Sequence, residues 1–66
     1  MKTIQINTRG LVGLEESQAT QLIHAVGGQV NIVMVDGIPC KTTTEFRLDR
    51  VNLELRAGRV TKAYVG

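Results

Sequence analysis

The sequence has little of what usually braces or equips a small protein. It holds one cysteine, Cys40, so no internal disulfide ties its 66 residues together. It has one histidine, His24, and with Cys40 in a different segment the three or four converging ligands of a metal site are missing. Tryptophan is absent, and only Phe46 and Tyr64 could stack on bases. Lys and Arg are scattered from Lys2 to Lys62 and the net charge is only +2, which argues against a nucleic-acid partner. No apolar run approaches the ~20 residues that span a bilayer, so no membrane segment is expected. Met1-Lys2 leads into alternating Ile4 and Ile6 rather than a signal-peptide core. The chain as given therefore reads as cytoplasmic, or as secreted if a leader has been removed. There is no Gly-rich phosphate loop and no nucleophile elbow. Cys40 and His24 are the one conceivable nucleophile and base, and no third group is evident to orient them. The expectation is a non-enzyme without cofactor, with Cys40 as a free thiol.

What is present is patterning for one domain with one core. Lys2 to Asn7 alternate polar and apolar residues, as a half-buried strand or extended arm does. An edge strand there would leave a homo-oligomer open as an assembly state. Ala19, Leu22, Ile23 and Val26 recur at helical spacing. Glu15 and Glu16 sit where a helix dipole favours carboxylates, and Gly27-Gly28 can supply a left-handed end, so the helix is expected from about Glu15 to about Val26. The β-branched run Val30 to Val35 predicts a central strand buried on both faces, the pattern of a strand parallel to a neighbour. From Asp36 to Glu45 the pattern stops and a long exposed loop is expected. Val51, Leu53 and Leu55 then alternate with Arg50, Asn52 and Glu54, which predicts a strand with one wet face. Arg56 to Arg59 reads as a turn and Val60 to Val65 as an antiparallel last strand. The fold class is α+β, one helix on a small mixed sheet, with Leu22, Ile23, Val30, Ile32, Val51 and Leu53 in the core.

The segment from Thr43 to Asn52 joins the loop to a strand whose Arg50 and Asn52 would point back beneath it. Guanidinium and amide donors there could hold Thr43 and Glu45 and fix the backbone between them outward. A solvated strand with a routine ion pair is the alternative from chemistry alone. Three consecutive threonines, Thr42 to Thr44, favour extended backbone.

At this point the chain resembles the potato inhibitor I family of serine-protease inhibitors and the related small inhibitors of bacteria and fungi. The resemblance covers Leu11 to Gly66 and rests on Leu11-Val12-Gly13 before the helix, on Ala19, Leu22 and Ile23, on the run Thr44-Glu45-Phe46-Arg47-Leu48-Asp49-Arg50-Val51, and on Val65-Gly66. It implies inhibition by a rigid loop, Thr42, Thr43, Thr44, Glu45, Phe46 and Arg47, that enters a protease cleft as a substrate does. Thr44 would meet the specificity pocket and Thr44-Glu45 would be the scissile bond. Arg50 would brace Thr43 and Glu45, with Asn52 where the plant inhibitors carry a second Arg and with the carboxylate of Gly66 against Arg50. The small polar Thr44 suits a subtilisin-like or elastase-like serine protease. The loop is about two residues longer than in the plant inhibitors, and Pro39 and Cys40 are departures from their pattern. A second function stands beside this one: a cytosolic bacterial or viral binding module on the same scaffold that takes another protein or a small ligand, with the absent signal peptide in its favour.

Overall fold

The computed structural model describes residues 3–42 and 45–66. It is an α+β fold, one helix on a four-stranded mixed sheet. Helix α1 spans Glu16–Ala25. Ten residues are too few for an isolated helix to hold in water, so its stability comes from docking. Ala19 and Ile23, four residues apart and thus on one face, are fully buried against the sheet. Its start is fixed by the Glu15 N–H, which donates to Gln18 Oε1 at 3.1 Å. Its end is a Schellman turn: Gly27, at φ +80°, donates to the His24 carbonyl and Gly28 to the Ile23 carbonyl, both at 2.9 Å.

Strands β1 (Gln29–Val35), β2 (Ile38–Pro39), β3 (Arg50–Arg56) and β4 (Arg59–Val65) lie in the order β2-β1-β3-β4. β1 and β3 are parallel, with Asn31 opposite Asn52, and the other pairs are antiparallel. Two tight turns close the hairpins. Asp36-Gly37 joins β1 to β2 and Ala57-Gly58 joins β3 to β4, and all four residues have positive φ, the mirror-image turn whose twist suits a two-residue hairpin. The turns also brace one another, since the Ala57 N–H donates to Asp36 Oδ1 at 2.7 Å.

The core is Ile4, Leu11, Ala19, Ile23, Val51, Leu53, Leu55 and Val60, filled from the helix side of the sheet. Residues 3–7 form an extended arm, not a strand. Its Ile4 is buried, and the Ile4 N–H donates to the Leu48 carbonyl. Arg59 and Val60 are covered on the outer edge of β4 by residues 13–15, through the Gly13 N–H to the Val60 carbonyl at 2.8 Å, the Val60 N–H to the Leu14 carbonyl at 2.9 Å, and a bridge between Glu15 and Arg59. Among the described residues no helix is long and apolar enough to cross a membrane.

Three expectations are corrected. Leu22 is 50% exposed and not in the core, because Ala19 and Ile23 set the buried face and Leu22 falls to its side. β1 is central but only half-buried over Val30 to Met34, because the helix covers one face and the other carries the loop. Ile38–Pro39 pairs back on Met34 and Val35, so the connection to β3 begins at Cys40 rather than Asp36.

Candidate functional site

The exposed connection between β2 and β3 is shaped by its own sequence and by the first residue of β3. Arg47 lies two residues before Asp49 and two after Glu45, so its planar guanidinium reaches both. Arg47 Nε and Nη2 donate to the two carboxylate oxygens of Asp49, each at 2.9 Å, and Nη1 donates to Glu45 Oε1 at 3.2 Å. The side-chain bond from Arg47, followed by its charge, holds the Asp49 carboxyl below its ordinary range, against the opposing effect of burial. The same pair pushes the Arg47 guanidinium further above its already high value. The Asp49 carbonyl in turn accepts from the Gln29 N–H at 2.7 Å, which ties the end of the connection to the start of β1.

Arg50 opens β3 on the face away from the helix. Its Nη2 donates to the main-chain oxygen of Glu45, and its Nε donates to the main-chain oxygen of Gly66 at 2.9 Å. Gly66 is itself held by its N–H to the Arg50 carbonyl at 3.1 Å. Arg50 thus bridges the loop to the residue that follows β4. Phe46 is 62% exposed at the loop surface, yet one ring edge lies over Gly66, where an added Cβ would sit 3.5 Å away. Thr42 and Glu45 are exposed. Thr43 and Thr44, and with Thr44 the expected scissile bond, lie outside the described residues.

Asn52 does not lie on a wet face. It is 6% exposed, and its Oδ1 accepts from Asn31 Nδ2 at 2.9 Å across the parallel pair. On this face a cleft of about 410 Å³ is lined by Asn31, Arg50 and Asn52 from the sheet and by Thr42, Glu45 and Phe46 from the described part of the loop, among others. Glu45, Phe46, Arg47, Arg50, Asn52 and Gly66 therefore come together, and Asn31 joins them. Sequence reasoning missed Asn31 because it stood in an apolar run, where its one signal was being the polar residue in Val30 to Val35. Cys40 is half-buried and its N–H donates to the Val33 carbonyl at 2.9 Å. His24 is exposed on the helix. Among the described residues no group of three or more His, Cys, Asp or Glu could hold a metal ion.

No known protein family's model matches the chain, and no solved structure matches it.

Proposed function

We propose that the protein is a serine-protease inhibitor with a potato inhibitor I-like fold, acting through the loop Thr42 to Arg47. The observation that carries this reading is Arg50, whose guanidinium joins the Glu45 main-chain oxygen to that of Gly66. A substrate-like loop must be extended, exposed and already shaped, because ordering each side chain at binding costs about 0.5–1.5 kcal/mol. Arg50 from below and Arg47 from within supply that shape after the scissile position.

The tether also bears on chemistry. Attack of a protease serine on the Thr44 carbonyl forms the acyl bond and breaks the bond to the Glu45 nitrogen, which leaves as an amine after taking a proton from the enzyme's general acid. Because Glu45 is anchored through its own carbonyl, that amine stays beside the ester instead of diffusing away. Its high local concentration favours return to the intact peptide over attack by water.

Titration of a subtilisin-like and an elastase-like protease with the intact chain, read with intact mass, tests the reading. It expects stoichiometric loss of activity with slow cleavage confined to Thr44-Glu45. Uninhibited enzyme, or rapid cutting through the loop, overturns it. A defined oligomer with a small molecule bound in the cleft beside the loop, and no protease affected, would select the binding-module function instead.

A further inference from the structure

A second polar pair lies on the same face of the sheet as Arg50, and it begins on β1. Asn31 and Asn52 are register partners in the parallel pair, on the face opposite the helix. The Asn31 Nδ2 donates to Asn52 Oδ1 at 2.9 Å. A primary amide carries its acceptor and its donors on opposite ends, so fixing the oxygen also fixes the nitrogen. With Oδ1 turned to β1, Asn52 Nδ2 is turned toward Gly66, 3.4 Å from where a Cβ on that residue would be. Gly66 is the residue that Arg50 holds and the Phe46 ring covers.

We infer that Asn31 is a positioning residue for the loop: its donor sets the orientation of the Asn52 amide, which presents donors to the Gly66 end of the Arg50 bridge. Asn31, Asn52 and Gly66 then form a chain of contacts across β1, β3 and the residue after β4, a hydrogen bond followed by a packing contact, that supports the loop alongside Arg50. The inference rests on the loop being the working segment, but its test needs no inhibition to be seen.

The substitution Asn31→Asp keeps shape and inverts polarity, because a carboxylate can only accept. The Asn52 amide must then turn over to donate toward β1, and its oxygen comes to face Gly66. Asn31→Val serves as an uncharged second variant that suits a strand and leaves the amide without its fixed partner. Two readouts apply to folded protein. By NMR, the parent shows contacts between the Asn52 side-chain amide protons and the Gly66 α-protons; Asn31→Asp loses them, and Asn31→Val weakens them. With a subtilisin-like protease in excess, loop cleavage quickens by about 2- to 10-fold in both variants, the range spanned by one ordinary hydrogen bond. With Asn52→Ala already in place, changing Asn31 has no further effect on that rate. Retained contacts in Asn31→Asp, an unchanged cleavage rate in both variants, or an Asn31 effect that persists without Asn52 each overturn the inference. If the chain inhibits no protease, these results still decide the role of Asn31, so the two proposals fail separately.

Discussion

Gly28 offers the sharpest test of how the arm and helix share the core. A Cβ built there lies 2.9 Å from Ile23 Cγ2, 2.9 Å from Ile4 Cδ1 and 3.2 Å from the Ile23 carbonyl oxygen. Carbon atoms in good contact stand about 3.5–4.0 Å apart, so both side chains are too close by roughly 0.6 Å or more. Ile23 is locked between helix and sheet and cannot retreat, which leaves Ile4 on the arm to give way. Overpacking of this kind costs about 1–3 kcal/mol, offset by about 0.4–1 kcal/mol from the stiffer unfolded chain. Gly28→Ala is therefore expected to destabilise by about 1–2 kcal/mol. Ile4→Val removes Cδ1, one of the two crowding atoms, and alone costs about 0.5–1.5 kcal/mol. Combined with Gly28→Ala it should cost little or nothing more, a favourable coupling of about 0.5–1 kcal/mol. Urea unfolding followed by circular dichroism reads all three variants, with changed midpoints at constant slope. A neutral Gly28→Ala, or strictly additive costs, would refute the packing of Ile4 over Gly28.

Other expectations follow from the same structure. The Asp49 carboxyl is held below its ordinary value of 3.8, so the native state binds fewer protons there than the unfolded chain; its stabilisation is complete above that value and is lost as pH falls through the lowered one. Urea midpoints measured from pH 5 to pH 2 should fall less steeply in Asp49→Asn than in the parent, and equal slopes would contradict the Arg47–Asp49 clamp. Ile23→Ala should cost about 2–5 kcal/mol while its exposed neighbour Leu22→Ala costs well under 1, measured by the same unfolding curves. Ala57 stands at φ +52°, where a Cβ costs about 1–2 kcal/mol, so Ala57→Gly should raise the thermal midpoint despite the added chain entropy. A lower midpoint would mean the turn is not strained there.

Local patterns were legible in the sequence where one neighbour decides the outcome. Val51, Leu53 and Leu55 alternate because one face of β3 lies in the core, and Ala19 and Ile23 recur because one face of the helix lies in the same core. Leu22 misled because Ala19, Leu22, Ile23 and Val26 make a stripe wider than this narrow sheet covers. Asp36-Gly37 between Val35 and Ile38 is a strong two-residue hairpin signal, but β2 is only two residues long, so the stretch to Glu45 has the pattern of one continuous loop. Asn52 alternates as a solvent-facing residue should. Its burial depends on a loop and on Asn31, which is 21 residues away, and no short-range pattern encodes that. The role of Arg50 beneath the loop could be framed from sequence because Arg50 and Glu45 are close along the chain. The Gly66 end of the bridge came from the resemblance alone.

The central claim is that the loop, held by Arg50, keeps its cleaved ends poised to rejoin. The most direct measurement begins with chain already cut at Thr44-Glu45 and purified, adds a catalytic amount of subtilisin-like protease, and follows intact mass over time. Reappearance of the uncut chain to a steady fraction, abolished by Arg50→Ala, is the predicted result. Cut chain that stays cut, or is degraded further, would contradict it.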